Sequence, residues 1–273
     1  METKNYQLQI CIPTYNRKEK VIGLVDFLIR EFSGKSFCLT VRDNDSADGT
    51  FETLRNIYST SNNVFIERND ENIGLAGNLY ECYLQDKAEF LWVVGDDDWI
   101  GEGIAECIYS QLGSSTAGCL YINYQADFEL GKVDFTEAFP KNISSDETLI
   151  SLFSESGSRM MFISSMIFRV GSLKKTREAK AAFFYPRLTL PLYVALAVAE
   201  FDHCEYIRSN YYLKNIYGDI SWRSEVWKVF LYKVPMELFR VYLLKKNLAA
   251  LRGVINYFLR RLKLYVGILS SRK

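Results

Sequence analysis

A buried strand that runs directly into an acidic cluster limits the fold of this chain more than any other feature. Residues 90–94 are five apolar side chains in a row, and Gly95, Asp96, Asp97 and Asp98 follow them. A short apolar run that ends so sharply is typical of a strand covered on both faces, as in a parallel sheet. Ligands of such sheets bind at the carboxyl ends of the strands. The aspartates are therefore expected at a binding edge.

Three adjacent carboxylates repel one another, so a folded chain needs a physical reason to place them together. A divalent cation is one such reason, because hard oxygen ligands suit Mg²⁺ and Mn²⁺. The alternative is a solvated acidic turn, since aspartate is ordinarily a surface residue. Taken alone, the pattern supports the two interpretations about equally.

Strand-like and helix-like segments alternate along the first 100 residues. We predict strands at 8–12, 37–41, 64–67 and 90–94, and helices at 18–32, 51–58 and from the loop at 69–78 to about 85. This alternation predicts an α/β fold with a mostly parallel, doubly wound sheet and helices on both faces. Beyond the turn-rich stretch 113–118 the pattern is less regular. There we expect strands within 119–124 and 160–170, helices within 146–155 and 183–199, and a helical extension from about 225.

Composition excludes some classes of protein. At 48% hydrophobic and 24% charged residues, the 273-residue chain can bury a substantial core. Its longest uncharged apolar stretch, residues 188–199, is too short to span a bilayer. The first strand begins almost at the N-terminus, so we expect no signal peptide. We also expect no nucleic-acid partner.

Four polar motifs follow the predicted strands in order. They are Ile-Pro-Thr-Tyr-Asn-Arg at 12–17, Asp-Asn-x-Ser-x-Asp-Gly-Thr at 43–50, Asn-x-Gly-x-x-x-Asn at 72–78 and Gly-Asp-Asp-Asp at 95–98. Because the carboxyl ends of parallel strands meet at one edge, the motifs should lie together. In this order they resemble the family 2 glycosyltransferases, which have a GT-A fold. The later chain more loosely resembles enzymes that extend bacterial surface polysaccharides.

The resemblance implies that the first two motifs hold the nucleoside of a nucleotide sugar. Pro13, Thr14 and Tyr15 would contact its base and ribose. Asp43 would accept a hydrogen bond from the imide N–H of a pyrimidine, which favours UDP as the carrier. Gly74, in the third motif, would let the backbone approach the phosphates closely.

The resemblance places the phosphates and the metal between the third and fourth motifs. Asn72 or Asn78 would donate to the phosphates. Asp96 would lie near the ribose and the metal, and Asp97 would either be oriented toward the donor sugar or have a structural role. Asp98 would bind Mn²⁺ or Mg²⁺ together with Asp96.

The implied reaction is displacement at the anomeric carbon of the sugar, with inversion, assisted by the metal. A carboxylate should deprotonate the acceptor hydroxyl. In the family this is often the aspartate of a Glu-Asp pair, and no such dipeptide occurs in this chain. The matching neighbourhood, residues 184–188, contains no acid. The base therefore stays unassigned, with Glu155, Asp202 and Asp219 as weak candidates.

The C-terminal part of the chain is basic and patterned as a helix. Residues 223–273 contain 12 Lys or Arg against Glu225 and Glu237. Apolar residues recur there at helical intervals, at Leu248, Leu251, Ile255, Phe258, Leu259, Leu262 and Val266. Such a basic amphipathic stretch is typical of a helix lying in a membrane interface. The alternatives are packing on the protein's own core or on a second copy of the chain.

Together these observations predict a metal-dependent inverting glycosyltransferase that moves a sugar to a saccharide acceptor, expected to be lipid-linked. We place a nucleotide-sugar-binding half at 1–112, an acceptor-binding half of the same domain at 113–224 and the basic tail at 225–273. The expected location is cytoplasmic, on the inner face of a bacterial membrane. Two alternatives stay open: a non-catalytic sugar-nucleotide-binding or scaffold protein, and a nucleotidyltransferase. The latter usually has a Gly-rich basic loop after its first strand, which residues 13–17 do not supply.

Overall fold

In a computed structural model, the structure describes residues 6–122, 124–128, 131–133, 142–143, 162–207, 213–216 and separate positions at 228, 232–237, 239, 248, 251–252 and 254–259. The strands are β1 (Tyr6–Thr14), β2 (Phe37–Asp43), β3 (Val64–Arg68), β4 (Ala88–Val93), β5 (Trp99–Ile100), β6 (Cys119–Ile122), β7 (Gln125–Phe128), β8 (Gly131–Val133), β9 (Asn142–Ile143), β10 (Met166–Arg169), β11 (Cys204–Ile207) and β12 (Leu213–Ile216). The α-helices are α1 (Lys18–Glu31), α2 (Thr50–Ile57), α3 (Gly74–Tyr83), α4 (Ile104–Leu112), α5 (Val170–Ala179) and α6 (Leu190–Val198). Short 3₁₀ turns lie at Ile163–Ser165 and Ala181–Phe183.

The central sheet has the strand order β3-β2-β1-β4-β10-β6-β11-β9. The four strands from β3 to β4 are parallel neighbours. Strand β10 is antiparallel to both β4 and β6, while β11 is parallel to β6 and antiparallel to β9. A second, smaller sheet has the order β5-β12-β7-β8. The predicted mostly parallel sheet is confirmed, with β10 and β9 as its reversed strands.

Helices cover both faces of the central sheet, which explains the unbroken apolar run of β4. Trp92 and Leu91 are completely buried and point to opposite faces, because side chains alternate along a strand. On one face, the Trp92 ring lies 6.2 Å from Phe32 at the end of α1. On the other, Leu91 pairs in register with Phe168, whose ring lies 5.9 Å from Tyr83 of α3. A strand enclosed in this way has no solvent face on which to place polar residues.

The predicted elements of the first 100 residues occur within a few residues of their predicted positions. Later elements are shorter than predicted. The strand predicted within 160–170 begins only at Met166, after a 3₁₀ turn, and the helix predicted within 183–199 begins at Leu190. Pro191 suits the first turn of that helix, where a backbone N–H is not needed. The helix predicted at 146–155 lies outside the described residues.

The described part of the tail is mostly helical and packs partly on the core. Val234, Glu237 and Tyr257 are buried, whereas Leu248 and Ile255 are exposed. Among the described residues, no helix is both long enough and apolar enough to cross a membrane. The division of the chain at 112 and 224 stays a prediction.

Candidate active site

The four polar motifs lie along one edge of the sheet, because the strands that precede them are parallel neighbours. Backbone hydrogen bonds join the strand ends there. The N–H of Asn44 donates to the carbonyl of Thr14 at 2.9 Å, and the N–H of Asn69 donates to that of Asp43 at 2.9 Å. The sequence motifs therefore meet at a single carboxyl edge, as predicted.

Asp96 is held from two sides by the first motif. Thr14 Oγ1 donates to its Oδ2 at 2.8 Å, and Arg17 Nη1 lies 2.6 Å from its Oδ1. The same Arg17 nitrogen lies 2.8 Å from Oδ2 of Asp97, whose side chain is exposed. Burial raises the pKa of Asp96, and Arg17 and Thr14 oppose that rise. One arginine thus bridges two of the three adjacent carboxylates.

Asp98 faces the opposite way, toward the segment that precedes β10. Ser164 Oγ donates to its carboxylate and accepts a hydrogen bond from the N–H of Gly95 at 2.9 Å. Burial, together with the negative charges of Asp97 and Asp96, raises the pKa of Asp98 to about 7, against the effect of the Ser164 hydrogen bond. Gly95 is needed here, since a Cβ at this position would lie 2.5 Å from Oδ2 of Asp98.

Asp43 is a completely buried carboxylate at the end of β2. Its Oδ2 accepts a hydrogen bond from the N–H of Ser46 at 3.0 Å, and Arg68 lies 3.7 Å away. Its Oδ1 is buried and accepts no hydrogen bond from any residue that the structure describes. A buried carboxylate oxygen without a donor is costly, so this atom is suited to accept a hydrogen bond from a ligand.

The loop after β1 is fixed against the loop after β2. Asn16 has a positive φ of 52°, and its N–H donates to Ser46 Oγ at 2.8 Å, while its Oδ1 accepts from the N–H of Ala47 at 2.8 Å. This leaves the Tyr15 side chain exposed beside the carboxyl edge. Pro13 pairs in register with Arg42, within the sheet. Of the three residues predicted to contact the base and ribose, Tyr15 is exposed and Thr14 holds Asp96.

A network of asparagine side chains joins the second and third motifs. Asn69 donates to Asn44 at 2.9 Å and to Asn78 at 3.0 Å, and Asn44 donates to Asn72 at 2.8 Å. Asn78 is buried, and its own amide nitrogen donates to the Arg42 carbonyl at 3.1 Å. Both polar groups of Asn78 are therefore used within the protein. This does not fit its predicted role as a phosphate donor.

Gly74 and Asn72 remain accessible at the start of α3. Gly74 has a φ of 73°, in the left-handed region that glycine adopts without strain, and no atom lies within 4 Å of the position its Cβ would occupy. Asn72 is exposed, and its Oδ1 accepts from the N–H of Gly74 at 2.9 Å. Such an open helix N-terminus at the carboxyl edge is suited to contact an anionic group.

The candidates for the catalytic base are not brought to this edge within the described residues. Strand β11 is parallel to β4, since both β4 and β6 are antiparallel to β10 and β11 is parallel to β6. Asp202 precedes β11 and therefore lies at the amino edge, opposite the aspartate cluster. There it accepts hydrogen bonds from Ser172 and from the N–H of His203. Its position does not suit a base, and Glu155 and Asp219 lie outside the described residues.

A buried ion pair occupies the neighbourhood where the resemblance places the base. Arg187 Nε lies 2.7 Å from Oε1 of Glu237, which also accepts a hydrogen bond from Thr189 Oγ1 at 2.7 Å. The Arg187 guanidinium stacks between the rings of Tyr185 and Tyr193, at 4.2 and 4.3 Å from their centroids. Glu237 is only 1% exposed. This cluster, which we call the Arg187–Glu237 clasp, anchors the tail to the start of α6.

Sequence reasoning missed three parts of this site. Arg17 ends the first motif, and the predicted parallel strands bring that motif to the edge of the acidic cluster, so the sequence contained a signal for it. Ser164 and Glu237 belong to none of the four motifs, and no local pattern relates them to Asp98 and Thr189, which lie 66 and 48 residues away.

The site can be tested for its fit to a divalent cation. Among the residues that the structure describes, no group of three His, Cys, Asp or Glu side chains is arranged so that it could hold a metal ion by itself. Mg²⁺ and similar ions, however, are commonly held by one or two carboxylates with substrate phosphates and water completing the shell. Asp98 fits that pattern, because its side chain is only partly buried and Ser164 holds its carboxylate at the carboxyl edge. Asp96 fits only if Arg17 moves.

Comparison with known proteins agrees with this geometry. The sequence model of glycosyl transferase family 2 matches residues 9–167, more than half of the chain. Over 111 residues the chain is 29% identical to the abequosyltransferase RfbV of Salmonella typhimurium, a match that covers 39% of this chain and 33% of that protein. The chain thus spans about a third of the length of this curated relative.

Two solved structures share the fold. The first is S. aureus TarS 1-349 in complex with UDP-GlcNAc, with a TM-score of 0.62 and 16% identity, covering 85% of this chain and 66% of that one. The second is the mannosyltransferase PcManGT from Pyrobaculum calidifontis in complex with GDP-Man and Mn²⁺, with a TM-score of 0.54 and 13% identity, covering 98% of this chain and 80% of that one. At these identities the likeness concerns the fold alone. The predicted resemblance is confirmed: the chain belongs to glycosyl transferase family 2 and has a GT-A fold.

Proposed function

We propose that this protein is an inverting, metal-dependent glycosyltransferase that uses a UDP-linked donor and a saccharide acceptor. The observation that carries the proposal is the placement of Asp43 at the same sheet edge as Asp96, Asp97 and Asp98. A carboxylate suited to a nucleobase and an acidic cluster suited to a diphosphate–metal group meet there. Family membership and the nucleotide sugars bound by TarS and PcManGT support this assignment.

Asp43 would select the base of the donor. Its buried Oδ1 can accept a hydrogen bond from N3–H of uracil, whereas cytosine carries no hydrogen at N3. Tyr15, exposed beside it, can stack on the base or pack against the ribose. The backbone at Gly74 and the amide of Asn72 would face the phosphates. Thr14 would hold Asp96 in place rather than bind the donor directly.

A divalent cation, Mn²⁺ or Mg²⁺, would be held by Asp98, with Asp96 joining after Arg17 moves. When bound, it would neutralise the charge that develops on the departing diphosphate. The role of the protein is then to place the donor. Ser164 fixes the carboxylate of Asp98, and Thr14 fixes that of Asp96. Asp97, the exposed residue of the cluster, would face the donor sugar.

The transfer itself exchanges one bond at the anomeric carbon for another. The acceptor oxygen forms a bond to this carbon while the bond from the carbon to the diphosphate oxygen breaks, and the acceptor proton passes to a base. None of the described residues is assigned as that base. This gap favours, as the second candidate function, a non-catalytic sugar-nucleotide-binding protein on the same fold. We set aside nucleotidyltransfer, because the chain belongs to a sugar-transferring family.

The acceptor is proposed to be lipid-linked, and the protein to act at the inner face of the cytoplasmic membrane in polysaccharide synthesis. The support is the tail. Residues 223–273 carry 12 basic side chains against two acidic ones. In the described part of the tail, Leu248, Ile255 and Leu259 are 66%, 50% and 54% exposed, and Arg252 is also exposed. Since Val254 and Tyr257 pack inward, the helix has a second, outward apolar face. We call Leu248, Ile255 and Leu259 the outer face of the tail.

The test uses a panel of UDP-, dTDP-, GDP- and CDP-sugars. Each is incubated with the protein, Mn²⁺ and a lipid-linked saccharide extract, and the free nucleotide that is released is measured. Acceptor-dependent release from a UDP-sugar supports the proposal. Tight binding of a UDP-sugar without release in any combination would favour the non-catalytic alternative. A ligand present at 100 times its Kd raises the free energy of unfolding by about 2.7 kcal/mol, so binding can be measured separately by a thermal melt.

A further inference from the structure

Arg17 occupies the position between Asp96 and Asp97 where a cation would neutralise both carboxylates. Its Nη1 lies 2.6 Å from Oδ1 of Asp96 and 2.8 Å from Oδ2 of Asp97. These are the distances of strong, charge-assisted hydrogen bonds. The same guanidinium nitrogen approaches both carboxylates, so Arg17 bridges them as a cation shared by two ligands would.

Both carboxylate oxygens of Asp96 are engaged in this arrangement. Oδ2 accepts from Thr14, a neutral partner fixed in strand β1, and Oδ1 faces Arg17. Asp96 is 7% exposed, so its charge has little water to stabilise it and needs a cationic partner. A metal ion that binds Asp96 must therefore replace Arg17, and it must overcome the Arg17 ion pair to do so.

The side chain of Arg17 is placed so that it can leave. Arg17 precedes the first residue of α1, at the carboxyl edge, and its side chain is 22% exposed rather than fully enclosed. The guanidinium group binds phosphate oxygens in the same forked geometry as carboxylates. A diphosphate arriving with its metal would offer such oxygens at this edge.

We propose that Arg17 is a displaceable counterion of the acidic cluster: it pairs with Asp96 and Asp97 before the donor binds, yields this place to the divalent cation, and then pairs with the diphosphate. This inference rests on the proposed use of a metal. It assigns Arg17 as a positioning residue with two effects of opposite sign. Arg17 weakens the binding of the metal alone and strengthens the binding of the metal–nucleotide pair.

The first experiment measures Mn²⁺ binding alone, by the loss of the free-ion electron paramagnetic resonance signal, to the full chain. Arg17→Ala should bind Mn²⁺ about tenfold more tightly than the unmodified protein, since a competing unit charge is removed. Arg17→Lys keeps the charge and should stay close to the unmodified protein. Lys18→Ala is the matched control: it removes a positive charge from the next residue, whose Nζ lies by Asp48 and Glu19 rather than the cluster. It should change the Kd by less than about twofold.

The second experiment measures UDP and uridine binding by calorimetry in saturating Mn²⁺. Arg17→Ala should weaken UDP binding about tenfold and leave uridine binding unchanged, because only UDP carries the diphosphate. The inference would be overturned if the unmodified protein bound no Mn²⁺, if Arg17→Ala left the Kd for Mn²⁺ unchanged, or if Lys18→Ala lowered that Kd as much as Arg17→Ala does. Tighter binding of UDP by Arg17→Ala would overturn it as well. Neither readout requires turnover. A protein that binds metal and UDP as described but transfers no sugar would contradict the proposed activity and leave the role of Arg17 intact.

Discussion

Ser164 donates its hydroxyl hydrogen to the carboxylate of Asp98, although 66 residues separate the two along the chain. The same hydroxyl oxygen accepts a hydrogen bond from the N–H of Gly95, and the Ser164 carbonyl accepts one from the indole of Trp92 at 2.7 Å. Ser164 is completely buried. The segment before β10 thus fixes the end of β4, and the orientation of Asp98 depends on a reversed strand in the sheet.

The first prediction concerns this hydroxyl. The Ser164 hydrogen bond lowers the pKa of Asp98, which burial and the neighbouring charges of Asp97 and Asp96 hold at about 7. Ser164→Ala should therefore raise that pKa and shift the pH midpoint of Mn²⁺ binding upward, since the metal requires the ionised carboxylate. Ser165→Ala is the control, because its hydroxyl donates to the Phe162 carbonyl instead. If the pH midpoint of Mn²⁺ binding were the same in Ser164→Ala and Ser165→Ala, the Ser164 hydroxyl would have no effect on the metal site.

The second prediction concerns the charge of Asp98. Its pKa of about 7 lies above the ordinary carboxyl value, so between about pH 4 and 7 the folded state binds more protons than the unfolded state. The free energy of unfolding must then fall as the pH rises through this window. Asp98→Asn removes this loss, and we expect it to be more stable than the unmodified protein at pH 8 in EDTA, by on the order of 1–2 kcal/mol.

The same variant should lose Mn²⁺-dependent transfer, and each tenfold loss of rate corresponds to about 1.4 kcal/mol of barrier. Denaturant unfolding at pH 5 and pH 8, with and without Mn²⁺, checks the stability difference. Equal stabilities at pH 8 would contradict the stability cost of the Asp98 charge, and full transfer activity of the unmodified protein in EDTA would contradict the metal role.

The third prediction concerns the choice of nucleobase. With an unpartnered Oδ1, Asp43 should favour UDP over CDP, because leaving a buried polar atom unpaired costs about 1–3 kcal/mol. Asp43→Asn supplies an N–H donor at this position and should reduce or reverse that preference. Asp45→Asn serves as the control: this carboxylate pairs with Arg68 at the surface of the same loop. Calorimetry that gives equal Kd values for UDP and CDP with the unmodified protein would contradict the role of Asp43.

The parts of this fold that local patterns determine could be predicted. Apolar runs such as residues 90–94 indicate strands without a solvent face, and the polar residues after them must then share one edge. Asp43 and Asp98 could be placed at this edge from the sequence, because parallel strand order fixes where strand ends lie. The parallel half of the sheet follows from the regular alternation of helix and strand.

The remaining features depend on contacts between distant segments, which local patterns do not encode. Asn78 follows the motif of a ligand-binding residue, yet its amide groups bind Asn69 and the Arg42 carbonyl. Asp202 is a weak candidate for the base from the sequence, and the strand directions place it at the opposite edge. The Arg187–Glu237 clasp joins two segments whose sequences give no sign of each other. Tertiary packing decides whether such a residue contacts a ligand or binds other residues of the protein, since the same residue type can do both.

The fourth prediction concerns the Arg187–Glu237 clasp. Glu237→Gln leaves the Arg187 guanidinium buried opposite a neutral amide, and breaking a buried ion pair from one side typically costs about 3–5 kcal/mol. The control is Glu106→Gln, which breaks the surface pair with Lys35 and should cost less than about 1 kcal/mol. Urea unfolding with a common slope measures both. A cost below about 1 kcal/mol for Glu237→Gln would mean that the clasp does not hold the tail.

The clasp also determines how the tail can be tested at a membrane. A chain ending near residue 224 would lack Glu237, Val234 and Tyr257, all of which are buried. A change in the liposome binding of this shortened chain would reflect the loss of packing as well as the loss of a membrane contact. Substitutions on the outer face of the tail avoid this, since these side chains are at least half exposed.

The last prediction is therefore that the outer face of the tail binds anionic lipid. Ile255→Gln should weaken co-sedimentation with phosphatidylglycerol-containing liposomes about tenfold, because it removes on the order of 1–2 kcal/mol of apolar burial. Ile57→Gln is the matched control: Ile57 is 49% exposed at the end of α2, outside the tail, against 50% for Ile255. Arg252→Gln should weaken binding to anionic but not to neutral liposomes, by about 1 kcal/mol, and this difference should vanish at high salt. Equal binding of Ile255→Gln and Ile57→Gln would exclude the face as a membrane contact. If Ile255→Gln instead abolished a dimer seen by sedimentation velocity, the face would bind a second copy of the chain.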